Sequence, residues 1–66
     1  MQIFVNGQAH TVERDATVSD LLRELNLSDR PVVTELNGRA LSPGDCSSTT
    51  LSEGSRLEIV ILAAGG

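Results

Sequence analysis

The chemistry available in this sequence is sparse, and little of it lies within the body of the chain. His10 and Cys46 are the only histidine and the only cysteine. A nucleophile and its base need a third group to orient them, and a closed zinc site needs four ligands. We therefore expect structural roles for both residues, no catalytic residue and no metal. The glycines show no phosphate-binding spacing ahead of a helix, so no cofactor is expected either.

The remaining reactive group is the carboxylate of Gly66. The sequence closes with Ala63, Ala64, Gly65 and Gly66, and a glycine has no Cβ that would keep another surface away. An ATP-using partner could convert the carboxylate into an acyl-adenylate, from which a sulfur nucleophile would displace AMP. We expect these four residues to form a flexible tail that enters a partner enzyme. The alternative is an inert tail, because most chain ends fray.

Length and charge restrict the remaining functions. The 66 residues make one domain close to the lower limit for independent folding. The formal net charge is −4 and the five basic residues are dispersed arginines, so we expect no nucleic-acid partner. No apolar run reaches the roughly 20 residues of a membrane span, and a single cysteine allows no internal disulfide. We expect a cytoplasmic protein that contacts no membrane.

The hydrophobic pattern predicts the element order ββαββ. Alternation of apolar and polar residues indicates strands at 1–6, 8–13, 32–37, 39–41 and 56–62. Apolar residues at helical spacing predict a helix of about nine residues that follows a Thr17 cap. Asn6-Gly7 and Asn37-Gly38 are typical of tight hairpin turns. We expect a turn at 42–45 and irregular chain or a single helical turn at 46–51.

The last strand is apolar on both faces at its C-terminal end, which is typical of a central strand. We predict that it lies between the two hairpins, parallel to the first strand, with the helix packed on one face. The fold class is then α+β, a β-grasp (ubiquitin-like) ββαββ domain with a mixed sheet of four to five strands. The predicted domain covers residues 1–62, and the tail covers 63–66.

Alternation also divides the strand residues between two faces of the sheet. The residues expected to face the helix are Ile3, Val5, Val32, Thr34, Leu36, Leu57, Ile59 and Ile61. Phe4, Val33, Val60 and Leu62 then form one apolar patch on the open face, close to the tail. Exposed apolar clusters usually contact something, so we predict a partner surface there, although single exposed apolar residues are ordinary. A one-residue slip would exchange the two faces.

Several stretches of the chain are similar to one known family. They are MQIFVNG at 1–7, VSDLL at 18–22, ELNG at 35–38 and LSEGSRLEIV at 51–60, followed by the Ala64-Gly65-Gly66 end. Together they resemble the sulfur carrier ThiS of thiamine biosynthesis over essentially the whole chain. The sequence departs from the family pattern at Ser55, where aspartate is usual, and at 42–50, where a tryptophan-containing segment is common.

The resemblance implies a specific activation chemistry. Gly66 would be adenylated by ThiF, an E1-like enzyme that uses ATP, with Gly65 as the obligatory neighbour. The adenylate would become a thiocarboxylate, with sulfur taken from a sulfur donor, and the sulfur would pass to thiazole synthase, ThiG. The chain would then be a protein substrate and sulfur carrier rather than an enzyme.

Three alternatives remain beside this interpretation. The small subunit of molybdopterin synthase has the same fold and tail chemistry, but it is usually longer and often carries prolines where this chain has Ala63-Ala64. A ubiquitin-like modifier would be conjugated to lysines of other proteins. An interaction domain with an inert tail would carry no chemistry at all.

Overall fold

The computed structural model describes residues 1–63. It confirms the five predicted strands and the predicted helix, and it adds a second, short helix. The elements are β1 (Gln2–Val5), β2 (Gln8–Thr11), α1 (Val18–Glu24), β3 (Val32–Leu36), β4 (Arg39–Leu41), α2 (Pro43–Cys46) and β5 (Arg56–Ile61). The five strands form one sheet in the order β2-β1-β5-β3-β4. β5 runs parallel to β1 and antiparallel to β3. The predicted central position of the last strand is confirmed.

Both hairpins turn on an asparagine followed by a glycine. Asn6 and Gly7 have φ values of 50° and 83°, and Asn37 and Gly38 have 51° and 84°. Positive φ at both central residues is the type I′ geometry, whose twist matches that of the flanking strands. The predicted tight turns are confirmed, and their geometry fixes the register of each hairpin.

The two turn asparagines also hold β5 in place from its two sides. The Asn6 carboxamide makes two bonds to the backbone of Ile59: Nδ2 donates to the carbonyl oxygen at 3.1 Å and Oδ1 accepts from the N–H at 2.8 Å. Asn37 Oδ1 accepts from the Arg56 N–H at 2.9 Å. β5 is thus tied to both hairpins by side chains as well as by ladder bonds.

α1 begins at a complete capping box. Thr17 Oγ1 accepts from the Asp20 N–H at 3.2 Å, and Asp20 Oδ2 accepts from the Thr17 N–H at 2.9 Å. This pairing satisfies backbone groups that the first turn leaves free. The helix has seven residues, two fewer than predicted. Its apolar side packs into the core, whose most buried side chains are Ile3, Val18, Leu21 and Leu57.

One residue assigned to the helix-covered face is exposed. Ile61 retains 50% of its accessible surface, whereas Leu57 and Ile59 on the same side of β5 retain 1% and 7%. A seven-residue helix is about 10 Å long, and a six-residue strand spans about 20 Å. The helix is therefore too short to cover the whole of β5, so Ile61 lies on the predicted face but is not buried.

The segment predicted as a turn at 42–45 is instead the start of α2. Ser42 caps it through a second capping box with Asp45, and Pro43 occupies the first turn, where its missing N–H costs nothing. The proline and glycine suggested a turn, while the Ser-x-x-Asp spacing was the signal for a helix start. The consequence is that Cys46, the last residue of α2, lies in the core with 5% exposure.

The loop before β5 accommodates the unusual Ser55. This serine is 5% exposed, and its Oγ accepts from the Ser52 N–H at 2.9 Å while its own N–H donates to the Ser52 carbonyl at 3.0 Å. The hydroxyl oxygen is a sufficient acceptor for this turn. The departure from the family's aspartate therefore leaves the turn fully bonded.

Candidate functional site

The predicted modified residue lies outside the part of the chain that the structure describes. Gly66, Gly65 and Ala64 therefore stay predictions from the sequence, as does the boundary between domain and tail. The described chain ends at Ala63, which is exposed and belongs to no helix or strand. Just before it, the Leu62 N–H donates to the Pro31 carbonyl at 2.8 Å. The sheet thus holds the chain up to the residue before the predicted tail.

The point at which the chain leaves the sheet, after Leu62, is called the exit. Three exposed apolar side chains lie beside it and form what we call the apolar patch: Val33, Val60 and Leu62. Val33 and Val60 are directly opposite each other on β3 and β5, and their exposures are 44% and 56%. Leu62 follows on the same side of the chain at 47%. A role for the apolar patch in partner binding stays a prediction.

Phe4 does not belong to the apolar patch. It lies opposite Arg56 on β5 and opposite Ala9 on β2, and it is half-buried. Val60 is four residues farther along β5, about 13 Å at the usual rise per residue. The prediction of one four-residue patch is therefore wrong. Alternation assigns residues to a face, but only the register between β1 and β5 places them along it.

The helix side of the sheet is also apolar at the exit, which the sequence pattern did not predict. Ile61 lies beyond the end of α1 on the helix side, opposite the partly buried Val32. The available signal was the length of the helix relative to that of the strand. Apolar side chains consequently surround the last strand on both faces just where the chain leaves the sheet.

The two residues with potential nucleophilic or basic chemistry are not arranged for catalysis. Cys46 Sγ lies 3.5 Å from the Ser42 carbonyl oxygen; burial, and secondarily the charge of Asp45, raises the pKa of its thiol. A raised pKa keeps the sulfur in its unreactive thiol form. His10 is half-buried on the edge strand β2. Both placements fit the structural roles expected for them.

Residues 1–63 offer no other site of recognisable chemistry. They contain no group of three or more histidine, cysteine, aspartate or glutamate side chains placed to hold a metal ion. A groove of about 400 Å³ is bordered by Leu22, Val32, Thr34 and Cys46 among others, but it presents no pair of groups for acid–base work. No helix in the described range is long and apolar enough to cross a membrane.

Comparison with known proteins agrees with the fold and with the resemblance. The sequence matches the model of the ThiS family over residues 3–66. The chain belongs to the ThiS family. A crystal structure of the thiamine biosynthesis protein ThiS from Geobacter metallireducens superimposes with a TM-score of 0.83 at 32% identity, and the alignment covers the whole of both chains. A solution structure of the Geobacter protein gives 0.81 at 32% identity, covering all of this chain and 88% of the other.

A second relative is much longer. A thiazole synthase from Magnetococcus marinus is 32% identical over 66 residues, a stretch that includes all of this chain and 20% of that protein. The chain thus spans about a fifth of the length of this curated relative. The fold shared with the Geobacter ThiS structures, an α+β β-grasp domain with a mixed five-stranded sheet, confirms the predicted fold class.

Proposed function

We propose that this protein is a sulfur carrier of thiamine biosynthesis and that its carboxylate at Gly66 is the carrying group. Membership of the ThiS family, matched over residues 3–66, is the observation that supports this most strongly. The sequence adds the two terminal glycines, and residues 1–63 contain no cluster of side chains placed to hold a metal ion. In this role the protein is a substrate for partner enzymes and not itself a catalyst.

The proposed chemistry proceeds in two displacements. A carboxylate oxygen of Gly66 first attacks the α-phosphorus of ATP, forming the acyl-adenylate as the bond to pyrophosphate breaks. Hydrosulfide (HS⁻) from the sulfur donor then attacks the Gly66 carbonyl carbon, a C–S bond forms, AMP leaves with the C–O bond electrons, and the proton on sulfur is lost to solvent. The product is a thiocarboxylate. Glycine suits both steps, because the absence of a Cβ lets the catalytic groups of an enzyme approach closely.

Three partners are required by this scheme. An E1-like, ThiF-like enzyme supplies ATP and the first displacement, a sulfur donor supplies the sulfur, and a ThiG-like thiazole synthase consumes it. The similarity to a thiazole synthase supports the last of these. ATP is a reactant held by the activating enzyme, and this chain binds no cofactor of its own. We place the reaction in the cytoplasm, where thiols stay reduced.

In this proposal the fold positions the tail for a partner enzyme. β5 is central in the sheet, and the Asn6 carboxamide and the Pro31 carbonyl tie the segment that precedes the tail. A rigid final strand gives the tail a fixed point of departure, and the apolar patch beside it offers an enzyme something to grip. We propose that the activating enzyme contacts Val33, Val60 and Leu62 while the tail enters its ATP site.

Intact-mass spectrometry tests the proposal. The protein is incubated with ATP, magnesium, the ThiF-like enzyme of the same organism and a sulfur donor. We expect a product in which one sulfur has replaced one oxygen, and no product when ATP is left out. Appearance of conjugates on other proteins would instead indicate a modifier, and an unchanged mass with an active enzyme would refute the carrier role.

Variants of the tail test whether sulfur loading requires the carboxylate of Gly66. Deleting Gly66, or adding one alanine after it, should abolish sulfur loading and leave the unfolding transition unchanged, because no core residue is altered. Loading of either variant at the normal rate would contradict the terminal-carboxylate mechanism.

A second assay distinguishes the thiamine pathway from the molybdopterin pathway: loaded protein is offered separately to thiazole synthase and to molybdopterin synthase. We expect sulfur transfer to the former only.

A further inference from the structure

Two glutamates face each other at the centre of the open face of the sheet. Glu35 on β3 and Glu58 on β5 are direct partners in the antiparallel register, and both are exposed. Side chains directly opposite on neighbouring strands have Cβ atoms about 4.5–5.5 Å apart, and like charges there destabilise the sheet. An uncharged or oppositely charged pair at these two positions would be more favourable for folding.

No basic side chain of the described chain neutralises these glutamates. The single ion pair within residues 1–63 joins Arg23 to Asp20, at 3.4 Å on α1. Arg56 lies two residues before Glu58 on the same side of β5, but it forms no ion pair with either glutamate. The two carboxylates are therefore free to meet charges on another molecule.

The acidic pair is continuous with the apolar patch. Val60 follows Glu58 by two residues on β5, and Val33 precedes Glu35 by two on β3, so the pair Val33–Val60 is the next one along the same face. Alternate residues on a strand are about 7 Å apart. A protein that covers the valine pair must therefore also bring its own groups over the glutamate pair.

We propose that the activating enzyme presents an arginine or lysine to Glu35 and Glu58 when it covers the apolar patch. This inference rests on the proposed function and adds the charge that the docking surface of the enzyme must carry. A charge buried in an interface without a partner is strongly unfavourable, and two adjacent carboxylates make that cost larger. A guanidinium fits best, because its planar fork can bond both carboxylates together.

The test uses Glu35→Gln, Glu58→Gln and the double variant in full-length protein. Carrier activation is followed as ATP–pyrophosphate exchange by the ThiF-like enzyme of the same organism, over a range of ionic strength. We expect the double variant to lose about tenfold in kcat/KM at low salt, because attraction to a basic group steers and holds the complex. The deficit should shrink as salt screens the charges.

A matched control separates the local effect from net charge. Glu13→Gln with Glu24→Gln removes the same two charges from exposed sites away from the open face, on the loop after β2 and on α1. This control should activate at nearly the wild-type rate. An equal loss in both double variants would show that overall charge, and not the acidic pair, matters.

Glu35→Lys distinguishes binding from folding. It places opposite charges across from each other, so the urea midpoint should rise above that of the wild type. Activation should nevertheless fall further than in Glu35→Gln, because the new lysine repels the basic group of the enzyme. Unchanged activation in this variant, at all salt concentrations, would overturn the proposal. If the wild-type protein itself supports no exchange, the proposed function fails with it.

Discussion

The two faces of the sheet differ along β5 in how far their side chains are buried. Leu57 and Ile59 point toward the helix with 1% and 7% exposure, whereas Val60, on the open face, retains 56%. Glu58 also lies on the open face, opposite Glu35. The strand that holds the core together on one side is thus uncovered, partly apolar and uncompensated in charge on the other.

This contrast indicates which residues a folding argument explains. Burial of apolar area stabilises the domain on the helix side of the sheet, where the core lies. Exposed valines contribute little to stability, and a like-charge glutamate pair is unfavourable. We propose contact with the activating enzyme as the role of this face. Substitutions on the two faces should consequently affect different measurements.

The largest expected effect is on stability and comes from the covered face. Leu57→Ala should lower the free energy of unfolding by about 2–5 kcal/mol, comparable with the whole margin of roughly 3–5 kcal/mol for a domain of this size. Val60→Ala, its control on the same strand, should change it by less than about 1 kcal/mol. Urea unfolding followed by circular dichroism measures both. Equal losses would contradict the face assignment.

The next effect is on activation and comes from the open face. Val60→Asp should lower carrier activation by the ThiF-like enzyme about tenfold or more, because a buried apolar contact becomes an unpaired charge. Thr11→Asp adds the same charge to the same face on the edge strand β2 and should activate normally. Phe4→Asp should behave differently from Val60→Asp. Because Phe4 is half-buried and lies apart from the apolar patch, its replacement should lower the free energy of unfolding more than it lowers carrier activation.

A smaller effect should distinguish the two hairpin turns. Asn6→Asp removes the Nδ2 donor and places a carboxylate oxygen against the Ile59 carbonyl, so it should cost about 1–2 kcal/mol. Asn37→Asp keeps the single acceptor bond to the Arg56 N–H and should stay within about 0.5 kcal/mol of the wild type. Urea midpoints of the two variants test this. The reverse order would mean that the Asn6 clamp does not hold β5.

The smallest effect concerns the helix cap and its pH dependence. Hydrogen bonds from the Thr17 backbone and hydroxyl, and the nearby Arg23, lower the pKa of Asp20 below its ordinary 3.8. A carboxyl group whose pKa is lowered by folding stabilises the protein fully above its ordinary pKa. This contribution is lost as the pH falls through the lowered value. Asp20→Asn should therefore be less stable than the wild type at about pH 7, and the gap should narrow by about pH 2.5. A gap independent of pH would contradict this.

Much of the fold could be predicted because its signals are local. The Asn-Gly turns, the alternation in the strands and the Thr17 cap each specify their own segment, and the all-apolar end of β5 indicated its central position. These features gave the five strands, the first helix and the strand order correctly.

The errors arose where distant segments meet. The position of Phe4 relative to Val60 depends on the register between β1 and β5, which are more than 50 residues apart and joined by no tight turn. The exposure of Ile61 depends on where α1 ends above the sheet. One error was local: the proline and glycine after Ser42 favour a turn, so the capping box between Ser42 and Asp45 was not predicted. Gly65 and Gly66 lie outside the described residues and still rest on the sequence.

The central claim is that sulfur is carried by the carboxylate of Gly66, and peptide mass spectrometry of loaded protein tests it most directly. Cleavage after Arg56, the last basic residue, releases the peptide that begins at Leu57. We predict one sulfur in place of one oxygen on this peptide, located at Gly66 by fragmentation. An added sulfur on the peptide that contains Cys46, with Gly66 unchanged, would contradict the account.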